Sequence, residues 1–98
     1  MSELRFEWDP AKASANLRKH GVAFEEAQTV FSDERAQLID DPEHSSAEDR
    51  FVLLGFSARL RILVVVHYYE PDPDTIGIIS ARRATRSERA RYARGWQR

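Results

Sequence analysis

Arginine and histidine are the side chains of this sequence best suited to an anionic partner or to moving a proton near neutral pH. The densest group lies in IISARRATRSERARY, Ile78 to Tyr92. A guanidinium presents a planar fork of donors that matches phosphate or carboxylate. Arg82, Arg83 and Arg86 stand where an apolar stretch gives way to a capped helix, and they form a candidate anion site. The same charge pattern also fits an ordinary solvated helix face carrying Arg86, Arg89, Arg91 and Arg94. His20 and His67 are the candidate proton carriers, because an unperturbed imidazole titrates at about pH 6.5.

The elements that must hold these groups can be read from the pattern. Thr85 followed by Glu88 has the spacing of a capping box, so a helix is expected to begin near Arg86. Ile76, Ile78 and Ser80 alternate with Gly77, Ile79 and Ala81, the period of a strand over Thr75 to Ala81. Arg82 and Arg83 are then expected in the turn between strand and helix. Upstream, Phe51 to Phe56 and Arg61 to Tyr69 also read as strands. The short connections at Ser57 to Leu60 and at PDPD, Pro71 to Asp74, imply antiparallel neighbours. Ile62 to Val66 is apolar at both parities, which suits a strand at the centre of a sheet. Leu4 to Glu7 reads as a first short strand. Asp9 and Pro10 then start a helix expected to run to about Lys19, with Gly21 as its left-handed stop. Phe24, Ala27, Val30 and Phe31 recur at helical spacing, and Ala36 to Ile39 reads as a short strand. Asp40 to Asp49 is polar, interrupted by proline, and expected to be an exposed loop. The order β-α-α-β-β-β-β-α describes a single α+β domain, a mainly antiparallel sheet with helices packed on it.

Composition narrows the functions. A chain of 98 residues can bury roughly 60 to 68% of its unfolded surface without staples. It has no cysteine, which excludes a disulfide framework and thiolate metal sites. Its longest apolar run, Ile62 to Val66, is far short of the roughly 18 residues of a membrane span. A cytoplasmic protein with no membrane association is the expectation. The formal net charge of -1 conceals strong segregation: through Asp49 the balance is 5 - 12 = -7, and from Arg50 onward it is 10 - 4 = +6. Such asymmetry suits nucleic acid or an acidic partner. All ten cations of the second part are arginines.

A second cassette, FEWDPAKASANLRKHGVAF, joins a strand, a tryptophan, a capped helix and a Lys-His-Gly stop. Asn16 and His20 lie one turn apart and share a helix face. Lys19 and His20 end the helix, where cations also favour the dipole, so a simple capping role competes with a catalytic one.

Taken in order, FEWDPAKASANLRKHGVAFEEA, GFS...LRILVVVHY and ISARRATRSERARY resemble the BrnT family of type II toxin proteins over nearly the whole chain. The resemblance implies a RelE-like fold, ribonuclease activity that arrests growth by cutting RNA, and neutralisation by a BrnA-type antitoxin. It further implies that the toxin–antitoxin pair represses its own operon, the antitoxin contacting operator DNA. Members commonly carry an arginine where this chain has Gly77. That departure removes one cation and weakens the strand locally; Arg61 on the preceding strand is a possible substitute.

Cutting RNA without metal or other cofactor requires a base for the ribose 2′-hydroxyl, cations for the phosphorane and an acid for the leaving oxygen. Arg82 with His20 and His67 is the favoured constellation, and Glu88 or Tyr92 could assist proton transfer. Lys19, Arg50, Arg61, Arg83 and Arg86 are the candidate RNA-binding cations. Trp8, before Tyr68, Tyr69, Tyr92 and Trp96, is the first choice for stacking on a base, against the usual role of such aromatics in the core. His44 near Asp40, Asp41 and Glu43 lacks the ligand spacing of a zinc site, and a solvated acidic loop is the better reading. A binding module without turnover is the competing function.

Overall fold

The computed structural model describes residues 3–40 and 50–95. The stretch DPEHSSAED after Asp40 and the candidate Trp96 lie outside the described residues. Strand β1 (Arg5–Glu7) leads into α1 (Pro10–His20), α2 (Phe24–Gln28) and a 3-10 turn at Thr29–Ser32. Four strands follow, β2 (Gln37–Ile39), β3 (Phe51–Phe56), β4 (Ile62–Tyr69) and β5 (Thr75–Arg83), and then α3 (Arg86–Arg94). This is the α+β order expected from the sequence.

The strands form one sheet ordered β1-β5-β4-β3-β2. β1 runs parallel to β5 and the other neighbours are antiparallel. The doubly apolar β4 is therefore central, and its parity explains why. Val65 faces the cluster of Val22, Phe24, Ala27, Val30, Leu53 and Ile78 beneath α1 and α2. Val64 faces the opposite cluster of Val52, Leu54 and Ala84, against which Tyr92 of α3 packs. Burying such side chains contributes about 1.5–3 kcal/mol each, so β4 is anchored from both faces.

The ends of α1 are set by local chemistry. Asp9 accepts the Ala11 amide at 2.9 Å, and Gly21 adopts φ 70°, a left-handed turn that glycine enters without a Cβ penalty. Asn16 then locks the helix to the sheet, donating to the carbonyls of Val22 and Ala81 and accepting the Ala81 amide at 3.1 Å.

Two expectations need correction. Arg82 and Arg83 end β5 instead of forming a turn, because their pairing with Val64 and Leu63 continues the ladder up to the cap of α3. The single short helix expected from the spacing of Phe24, Ala27, Val30 and Phe31 divides into α2 and the 3-10 turn, where the Thr29 hydroxyl donates to the Glu26 carbonyl.

Candidate functional site

The groups singled out in the sequence fall into three places. The first is the sheet end where β5 stops and β4 begins. His20 lies one turn beyond Asn16 on the same face of α1 and is half-buried. Gly21, the next residue, accepts a bond from the Arg61 guanidinium at 3.1 Å. Ala84, just after β5, donates to the Ile62 carbonyl at 2.9 Å, which sets Arg83 beside the same end. The Arg61 guanidinium thus reaches the end of α1, next in sequence to His20, while Arg83 pairs with Leu63 at the same end of the sheet, and Lys19 and Arg83 are exposed.

Arg61 owes its position to a residue that gave no signal in the sequence. Glu26 is buried and takes a bond from Arg61 Nε at 3.0 Å, with a second from its terminal nitrogen. Ser57, also buried, donates to the same carboxylate at 2.7 Å. The Arg61 bond, reinforced by Ser57 and opposed by burial, holds the Glu26 carboxyl below the usual carboxylate range. Ser57 Oγ also accepts the amides of Arg59 and Arg61, so one hydroxyl shapes the whole β3–β4 turn.

The second place is the α3 face of the sheet. Arg82 points to this face with its partner Val64 and forms a two-pronged pair with Glu88, at 2.9 and 3.0 Å. That bond, with the Thr85 amide and against burial, pulls the Glu88 carboxyl down to about 2. Glu88 is thereby a fixed anion that completes the capping box of α3. Tyr92 donates to Asp33 at 2.7 Å, and burial followed by this carboxylate pushes its hydroxyl up to about 12. Both groups hold α3 in place, and neither is tuned to exchange protons near neutrality. Arg86 is exposed on the first turn of the helix.

The third place is the far end of β4. His67 is fully buried on the α1/α2 side, edge-on to Phe31 at 4.8 Å and to Tyr69 at 5.3 Å. Burial lowers its pKa, and the Val65 carbonyl at 3.2 Å only partly opposes this. His67 therefore stays a neutral core ring. The sheet separates it from Arg82, so the favoured grouping of His20, His67 and Arg82 is not assembled. Trp8 packs edge-on against Phe24 at 5.8 Å as part of the core margin. Arg50 precedes β3 and is half-buried. Tyr69 is exposed beside Phe51.

Gly77 adjoins this far end. A Cβ there would fall within the ring of Tyr68, whose hydroxyl donates to Glu7 at 3.2 Å. Tyr68 occupies the space of any side chain at 77. Arg61 does not replace the arginine the resemblance implied, because it precedes β4, seven residues from Tyr68 and roughly 23 Å away at strand rise, and is paired with Glu26.

No group of three or more metal-ligating side chains occurs among the described residues, and the His44 segment lies outside them. No helix among the described residues is long and apolar enough to cross a membrane.

Residues 8–88 match the family described as "Ribonuclease toxin, BrnT, of type II toxin-antitoxin system". The chain belongs to the BrnT family. The fold agrees with the crystal structure of the Brucella abortus ribonuclease toxin BrnT, at 22% identity and a TM-score of 0.65. That similarity covers 85% of this chain and 99% of the Brucella chain. No curated protein matches. The chain thus belongs to a family of ribonuclease toxins of type II toxin–antitoxin systems, a class that implies an antitoxin partner.

Proposed function

We propose that this BrnT family protein is a metal-independent endoribonuclease whose working surface is the sheet end formed by His20, Lys19, Arg61 and Arg83. The observation that carries this reading is the bond from the Arg61 guanidinium to Gly21, which brings a cation to the end of α1 beside His20, in a chain matched by the family over residues 8–88. His20 takes the proton from the ribose 2′-hydroxyl, whose oxygen attacks the adjacent phosphorus. The bond to the 5′-oxygen breaks, and solvent at this open rim returns a proton to the departing oxygen. Lys19 and Arg83 face the developing phosphorane charge, where fixed cations contribute most. Arg82 and Glu88 are positioning residues that fix α3, and His67 shapes the core. Arrested growth is the cellular outcome, in the cytoplasm where the RNA lies.

A BrnA-type antitoxin neutralises the toxin by covering this cationic rim, and the complex represses its operon with the antitoxin contacting operator DNA. The purified free protein should cut single-stranded RNA in the presence of a chelator, and His20→Gln and Arg83→Gln should each abolish growth arrest while remaining folded. Wild-type protein that leaves RNA intact under every condition, with both variants as toxic as wild type, would sink the reading.

One observation favours a second reading. Tyr68 fills the space over Gly77, where the family resemblance implied an arginine, and this suits an RNA- or partner-binding module without turnover. Tight RNA binding with no cleavage would select it.

A further inference from the structure

A cleft of about 330 Å³ opens beside the proposed rim, between the β3–β4 turn and the start of α3. It is lined by Phe56, Leu60, Arg61, Ile62, Arg83, Ala84 and Arg89. We propose that this cleft is a nucleotide subsite that holds one base of the RNA flanking the cut phosphate. The proposal rests on the ribonuclease reading above and adds where the substrate is gripped.

Three observations carry it. Phe56 lies nearly parallel to Tyr92, at 18° and 6.3 Å, yet 39% of it remains exposed. Its ring is thus a fixed flat surface against which a base can continue the stack. Leu60 is 74% exposed and has φ 64°, an unfavourable conformation for leucine. The Ser57 hydroxyl and carbonyl pin the turn that holds it there, the latter accepting the Leu60 amide at 2.9 Å. Backbone strain that projects an apolar side chain into solvent at a cleft mouth points to contact with a ligand.

The cations supply the second half of the recognition. Arg61 is neutralised by Glu26, but Arg83 and Arg89 form no ion pair with any described residue. Arg89 is aimed by a 3.0 Å bond to the Ala84 carbonyl. An apolar flat floor beside two guanidiniums that no described carboxylate neutralises matches a base joined to a phosphate. A peptide strand is disfavoured, because the backbone at this end is already paired: Ser57 donates to Arg61 and Ala84 to Ile62. The volume is at the small end of ligand clefts, roughly 300–1,000 Å³, enough for one nucleotide.

The test uses the full chain and a fluorescent single-stranded oligoribonucleotide with 2′-O-methyl riboses, which can bind without being cut. Phe56→Ala should weaken binding roughly 5- to 150-fold, the range for loss of one stacked base. Leu60→Gly removes the side chain where glycine suits the backbone, so it should fold at least as well as wild type and still bind more weakly. Arg89→Gln should lower the salt dependence of binding by about one counterion. Wild-type affinity retained in both Phe56→Ala and Leu60→Gly would overturn the subsite and leave the ribonuclease reading intact. Wild-type protein that neither binds this oligonucleotide nor cuts unmodified RNA would overturn both. Variants that bind RNA normally but lose the antitoxin would assign the cleft to the partner instead, against the proposal.

Discussion

The two ends of β4 carry equally promising residues in the sequence and have opposite characters in the fold. Just before its start, Arg61 enters a charged network with buried Glu26 and Ser57 and reaches the Gly21 carbonyl at the end of α1. Near its other end, His67 is enclosed by Phe31, Phe51 and Tyr69 and kept neutral. A candidate catalytic residue is therefore defined by what surrounds it more than by its type. Desolvation disfavours the charged form of the His67 imidazole and so withdraws it from proton exchange.

The largest expected effect probes the charged end. Glu26→Ala leaves the Arg61 guanidinium facing a buried gap and the Ser57 hydroxyl without its acceptor. It should cost about 3–5 kcal/mol by urea unfolding. A loss under about 1 kcal/mol would mean that the Arg61 end is no better fixed than an ordinary surface pair.

At the other end, Gly77→Arg must expel the Tyr68 ring and should cost roughly 1–3 kcal/mol. Pairing it with Tyr68→Ala should recover much of that loss, a coupling readable in a double-mutant cycle. Additive losses would show that Tyr68 does not occupy the arginine's space.

Glu88→Gln weakens the Arg82 pair and the cap of α3, and should cost about 1–2 kcal/mol with reduced helical signal by circular dichroism. Because the folded carboxyl sits at about 2, below its ordinary 4.5, the wild-type contribution is complete above pH 4.5. It fades as the pH falls towards 2. The variant should lack that part of the acid sensitivity.

The smallest change is expected for His67→Phe, a substitution of similar volume that should stay within about 1.5 kcal/mol of wild type and preserve growth arrest. Its signature is in the pH dependence. The folded state resists protonation of His67 while the unfolded chain accepts it below about 6.5, so wild-type stability falls as pH drops through that range. Phenylalanine should flatten the slope between pH 7 and 5. Lost toxicity in a well-folded His67→Phe protein would return this histidine to the chemistry.

Much of the fold was legible because its signals are local. Asp9 with Pro10, Gly21, and Thr85 with Glu88 mark helix ends through short-range bonds that the chain makes with itself. The apolar run of β4 announced a central strand, since only burial on both faces makes such a run favourable. The parallel docking of β1 on β5 carried no comparable signal, because nothing in Arg5 to Glu7 specifies the direction of a partner 70 residues away. The candidate site was half legible. Histidine and arginine types advertised the chemistry, but strand parity decided that Arg82 turns to Glu88 and Arg83 ends at the rim.

By itself, then, the amino-acid order determined the elements, the segregation of charge and the family to which the chain belongs, all consequences of residue type and near-neighbour spacing. Only the tertiary structure decided which titratable groups meet water. It buried His67, left His20 half-buried at the end of α1, and brought Glu26 across 35 residues to Arg61. Such choices depend on packing between distant segments, because desolvation and ion pairing act through space and not along the chain.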